Sequence, residues 1–188
     1  MIWPLALTAR VTGSLLLVFL VALLILATGL HLSAQLGSVG VTMDFAGSER
    51  MRAYRLSTLM HALVHGLDGE AAEGQAQARV LIEEEIRNFE AILLGLRDGS
   101  LEHGLPAAPT AEIVNQVEAV IQQWRAVAKP PLLAALGTSS VEEARKGLAD
   151  YDNRLTELVG SIDGVVKRLA AHSSWGVQYY RRVAYSLL

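Results

Sequence analysis

The chain has 188 residues, 16 Lys and Arg against 19 Asp and Glu, and no Cys, which excludes disulfide and thiol chemistry. All 19 acidic residues fall between Asp44 and Asp163, and that acidic stretch argues against nucleic acid as a partner. A hydrophobic share of 52% is high for a soluble domain, and one segment supplies much of the excess.

No charged side chain occurs from Val11 to Met43, and GSLLLVFLVALLILATGL (13–30) is almost wholly apolar. About 20 such residues cross a bilayer as a helix, so residues 13–34 read as a transmembrane span. Residues 1–12, with Arg10 and the amino terminus, form a cytoplasmic start. A cleaved signal peptide would have an apolar core of roughly 7–15 residues ending at a small-x-small site. The nearest such tripeptide, LSA at 32–34, has Leu where a small residue is wanted. Gly29, Ser33 and Gly37 recur every four residues, a small-xxx-small face suited to close packing in lipid.

Residues 35–182 read as an extracytoplasmic domain of four helices. The first continues from the span to about Leu67, with a stripe of Leu36, Val39, Met43, Ala46, Arg50, Ala53, Ser57, Met60, Val64 and Leu67 at spacings of three and four. Gly66-Leu67-Asp68-Gly69 and Gly74 mark a turn. Ile82, Ile86, Phe89, Leu93 and Leu96 form the second stripe, ended by Asp98-Gly99, and a loop follows over 97–109. The third, Ile113, Val117, Val120, Trp124 and Val127, is entered at Pro109-Thr110 and broken or kinked at Pro130-Pro131.

The fourth has the cleanest heptads: Leu148, Tyr151, Leu155, Leu158, Ile162, Val165 and Leu169, entered through Ser140 and Glu143 as a capping box. Its register continues to His172 and Gly176. Trp175 and Tyr179-Tyr180-Arg181-Arg182 suit a membrane-interface belt. Residues 183–188 (VAYSLL) read as the beginning of a second, truncated span, so the chain is expected to be part of a longer protein. The fold class is therefore all-α: an antiparallel four-helix bundle continuous with an N-terminal transmembrane helix and the start of another.

Arg50 is the one fixed charge in the first stripe, with Ala46 at i−4, Gly47 at i−3 and Ala53 at i+3. A guanidinium cannot shed its proton, so packing it against small residues leaves it in need of an anionic partner. The segment AGSERMRAYRL (46–56) resembles the P-box of Nar-type nitrate/nitrite sensor histidine kinases, whose pattern runs approximately Asn-x-Ala-Gly-x-x-Arg-Met-x-x-Tyr-Arg-Leu. Ala46, Gly47, Arg50, Met51, Tyr54, Arg55 and Leu56 match it. The wider group includes the input regions of PilJ-like methyl-accepting transducers. FEAILLGLRDG (89–99) is similar to the end of the second helix in that group.

The resemblance implies a periplasmic sensor module anchored in the inner membrane and working as a homodimer. By it, a small inorganic anion, nitrate or nitrite, binds between the two first helices. Arg50 would be its ligand, Gly47 would allow close backbone approach, and Ala46, Met51, Tyr54 and Arg55 would support the motif. Two departures weaken the positive field. Asp44-Phe45 stands where the kinases usually have Asn-Lys, and Glu49 adds a carboxylate beside Arg50. Arg50 paired internally with Asp44 or Glu49 is the structural alternative.

The remaining candidates read as architecture. His61 and His65 have a chelating spacing, but Asp68 falls in the expected turn, so no metal site is assigned. Glu83-Glu84-Glu85 reads as a solvated face, Arg55 as a salt bridge to a neighbouring helix, and Phe89 and Trp124 as core. No nucleophile–base pair, phosphate loop or kinase box occurs, so no enzyme activity and no cofactor are expected within these residues. The function expected is the input module of a transmembrane two-component histidine kinase. The alternatives are the input domain of a PilJ-like transducer and a membrane-tethered structural bundle.

Overall fold

Every regular element among the described residues is helical, apart from an isolated bridge between Ser100 and Leu105. A computed structural model of the chain describes residues 3–69 and 72–186, with side chains over 12–30, 40–69 and 73–172. The helices are α1 (Trp3–Asp68), α2 (Ala72–Asp98), α3 (Ala111–Gln123), α4 (Lys129–Gly137) and α5 (Val141–Ser186), and a π-helical turn, Trp124–Ala128, joins α3 to α4.

The chain divides into two units, Met1–Ser38 and Val39–Leu188. In the first, Thr12–Leu30 has a mean hydropathy of 2.6 and no buried residue. Leu16, Leu20, Leu24 and Ile25 all lie open. A helix that is apolar all round, long enough to cross a bilayer, suits lipid rather than one-sided packing. The side chains of Ser33 and Gly37, and those of Trp175 and the Tyr179–Arg182 cluster, lie outside the described residues, as does the end of the expected second span, Leu187-Leu188.

The second unit is an antiparallel bundle whose third arm is α3 and α4 together. Its pairings run in opposite directions at every seam. Arg50, Ser57 and Asp68 of α1 meet Asp163, Asp152 and Arg145 of α5. Arg52 and Gly66 of α1 meet Glu85 and Gln75 of α2, and Glu90 and Arg79 of α2 meet Trp124 and Leu136. Glu112 of α3 pairs with Arg168 of α5.

The expected stripes of α2, α3 and α5 are the ones buried, except Val127, which stands exposed on the π-helical turn, and His172, where the continued α5 register is exposed. Trp124 and Phe89 pack with ring centroids 4.4 Å apart at the centre. Gly99, at φ +86°, takes the left-handed conformation that stops α2, its N–H reaching the Gly95 carbonyl at 2.8 Å. Thr110 caps α3 by accepting from the Ile113 N–H.

Three local expectations are corrected. The turn after α1 begins at Gly69, so Asp68 is helical and pairs with Arg145 at 2.8 Å. Pro130 and Pro131 sit in the first turn of α4 without breaking the arm. Neither can donate an amide to the turn before it, and that turn widens to π geometry. The capping box of α5 is half formed: the Glu143 N–H reaches Ser140 Oγ at 3.4 Å, while the Glu143 carboxylate takes the Thr138 hydroxyl instead.

Candidate functional site

The buried face of α1 in the bundle follows Thr42, Ala46, Glu49, Ala53, Leu56, Met60 and Leu63, none more than 3% exposed. The expected stripe through Met43, Arg50, Ser57 and Val64 is one flank of that face. Arg50 therefore sits at the edge of the core, its side chain 43% exposed, and Glu49 occupies the centre.

Arg50 Nη1 donates to Asp163 Oδ1 of α5 at 2.7 Å, and its Nε reaches the Gly47 carbonyl at 3.5 Å. The guanidinium lies over Gly47, where an added Cβ would meet Nη2 at 3.7 Å, an ordinary contact. The anionic partner that Arg50 needs is thus supplied by its own chain in this structure, and the expectation that a bound anion meets that need is corrected to that extent. So is the identity of the internal partner, which is Asp163 rather than Asp44 or Glu49. The physical reason is the helix face: Asp44 is exposed and Glu49 is turned inward, while Asp163 lies across the seam.

Further along the same seam, Asp152 accepts from the Ser57 hydroxyl at 2.6 Å and lies 3.3 Å from His61 Nε2. The buried Tyr151 hydroxyl donates to the Ala53 carbonyl at 2.9 Å. Burial, helped by Asp152, holds that phenol protonated well above its ordinary range. His65 is exposed, and no group of three or more metal-ligating side chains occurs among the described residues.

The opposite flank of α1 faces α2. Arg52 donates from Nη1 to Glu85 Oε1 at 2.9 Å and holds Nε 3.2 Å from Glu49 Oε1. Arg55, largely exposed, stands 3.7 Å from Glu85, the expected salt bridge to a neighbouring helix. Glu83 and Glu84 are solvated as expected, whereas Glu85 is 4% exposed and belongs to the seam. Burial is the main force on Glu49; Arg52 opposes it in part and Glu85 reinforces it, and its carboxyl is pushed up to about 9.

Of the residues singled out in the sequence, Ala46 is core, Gly47 and Arg50 lie on the α5 side, and Met51 and Tyr54 point outward at 70% and 49% exposure. The apolar void under Ala46 is about 10 Å³, lined in part by Leu93, Val117 and Ile162. It has room for no oxyanion and offers no donor. A ligand of Arg50 must therefore approach from outside the bundle.

Residues 32–151 match the family model described as PilJ, type IV pili methyl-accepting chemotaxis transducer N-term. No curated protein and no solved structure matches the chain. The matched stretch contains Arg50, Glu49 and Glu85; Asp163 lies beyond it.

Proposed function

Since more than half of this chain is matched by it, the chain belongs to the PilJ family of type IV pili methyl-accepting chemotaxis transducer N-terminal domains, and we propose that its bundle is the extracytoplasmic input module of such a transducer. The family match carries this reading and puts the transducer ahead of the histidine kinase suggested by Tyr54-Arg55-Leu56. A long methylation-type coiled coil encoded downstream would agree with it; a phosphoacceptor His with an ATP-binding domain would return the output to a kinase. On this reading the apolar helix Thr12–Leu30 supplies the anchor, and the bundle would lie on the periplasmic side of the inner membrane.

A small oxyanion such as nitrate or nitrite remains the ligand class that Arg50 suits, and its competitor is Asp163. An ion pair this exposed contributes roughly 0.2–1 kcal/mol, so a planar anion held through the guanidinium fork can displace the carboxylate at small cost. Met51 and Tyr54, apolar surface on the same helix, suit a second copy along α1, which would bring the partner's guanidinium to the same anion. Displacing Asp163 removes one tie between α1 and α5. That is how occupancy would reach the membrane-directed helices.

Thermal unfolding of the purified chain in detergent, with nitrate, nitrite or chloride, tests this reading. One anion should stabilise the wild type. Asp163→Asn, with Arg50 freed, should respond at a concentration up to about fivefold lower, and Arg50→Lys should not respond. Equal response to all three salts, or an undiminished response in Arg50→Lys, favours the tethered structural bundle.

A further inference from the structure

Glu49 sits in the centre of the buried face of α1 with 0% exposure, and neither carboxylate oxygen has a hydrogen-bond partner. A side chain in that position normally either carries a satisfied charge or carries none. Arg52 is the only cation of the cluster inside the seam, 29% exposed along its side chain, and its Nη1 is committed to Glu85. Its Nε lies 3.2 Å from Glu49 without the alignment of a hydrogen bond.

One guanidinium thus stands between two buried carboxylates. With both ionised, Glu49 would have no cation of its own inside the seam, because Arg52 is bonded to Glu85 and the second cation, Arg55, reaches only Glu85 and from the solvent edge at 3.7 Å. Two carboxylates on the other arms are engaged elsewhere. Asp163 of α5 is taken by Arg50, and Glu118 of α3 by Arg97 and Gln122. The geometry therefore leaves one place for a proton, on Glu49.

We propose that Glu49 is a proton-binding site whose occupancy holds the α1–α2 seam closed, so that alkalinisation loosens the helix that carries Arg50. Protonation leaves Glu85 and Arg52 as a balanced pair and makes Glu49 a neutral side chain among apolar ones. Ionisation puts a second negative charge into the seam, which only water, a cation or separation of α1 from α2 can relieve. The proton site rests on the geometry alone and does not depend on anion binding. That the loosening is read as a signal rests on the input-module reading.

The sign follows from linkage. The folded-state value, about 9, lies above the ordinary 4.5, so the folded chain holds a proton that the unfolded chain has released between those limits. The contribution of Glu49 to stability is fully present below about 4.5, falls as pH rises through that window, and is lost above about 9, where both states are ionised.

Two measurements on the purified chain in detergent test this. Infrared difference spectra should show a protonated-carboxyl band at pH 7 that is absent in Glu49→Gln and fades as pH passes about 9. Chemical unfolding should give a wild-type equilibrium constant that shifts toward unfolding about tenfold per pH unit relative to Glu49→Gln across that window. Glu49→Leu should behave like Glu49→Gln and serves in its place if the amide variant does not fold. No Glu49 band at pH 7, or one pH slope shared by wild type and variants, overturns the proposal. Loss of the anion response with these results intact would sink the anion reading alone.

Discussion

Replacing Trp124 by Ala should lower the stability of the bundle by about 3–5 kcal/mol, the range for truncating a buried aromatic. The side chain is fully buried, packs on Phe89, and donates its indole N–H to Glu90 at 3.0 Å. Truncation leaves a void in a core already close-packed, and the rigid arms on either side limit its collapse. Glu90 keeps Lys129 at 2.7 Å, so most of the loss is packing rather than an orphaned charge. Trp124→Phe, which keeps a ring and loses the indole donor, should cost about 1–2 kcal/mol. For a domain of this size, the Ala variant should melt roughly 6–20 °C lower, and a thermal scan followed by circular dichroism in detergent reads both variants. Equal shifts for Ala and Phe would mean that the hydrogen bond, not the ring, holds the arm.

Gly147→Val should be the second severe substitution, at about 2–3 kcal/mol. A Cβ added at Gly147 would lie 2.7 Å from the Pro131 carbonyl oxygen and 3.0 Å from Ala135 Cβ. Those atoms belong to α4 backbone and to its shortest side chain, so neither can swing aside; α4 would have to move away from α5. On the same helix, Gly160 is exposed and has nothing within 4 Å of an added Cβ. Gly160→Ala should therefore stabilise by up to about 1 kcal/mol, the helix-propensity difference with no clash against it. Opposite signs at the two glycines, measured by urea unfolding, identify close approach of α4 as the reason for Gly147. Stabilisation by both would mean that the two helices have room to separate.

These sites also mark what the amino-acid pattern carries and what it hides. The heptads of α5 and the stripes of α2 and α3 are legible because burial there is apolar and periodic, and periodicity is what a helix face imposes. Arg50 stands out for the complementary reason, as a fixed charge in such a stripe. Glu49 escapes the same test because a carboxylate reads as solvent-facing. Yet Thr42, Glu49, Leu56 and Leu63 follow one another at successive steps of seven, and that spacing is the signal that places Glu49 in the core. Glu85 hides in the same way inside a run of three acidic residues. The Arg50–Asp163 pair joins residues 113 positions apart, a separation at which local pattern says nothing about partners. Pro130-Pro131 announces missing amide donors, but the pattern alone does not say whether the arm breaks there or, as here, widens into a π-helical turn and continues.

On the proposed reading α1 would carry two controls: the half-exposed ion pair of Arg50 to α5, which an anion would contest, and the Glu49 carboxyl at the centre of its buried face, which would depend on a proton. The most direct test of the account is the separation of α1 from α5. The chain has no Cys, so spin labels placed through Thr58→Cys and Asn153→Cys, both exposed positions, report it without interference. In pulsed dipolar spectra, Asp163→Asn should shift the distance distribution in the same direction as nitrate does in the otherwise native chain, and Arg50→Lys should abolish the nitrate-induced shift. If nitrate binds while neither it nor Asp163→Asn alters the distribution, the Arg50–Asp163 pair does not couple ligand to helix position, and the account is wrong.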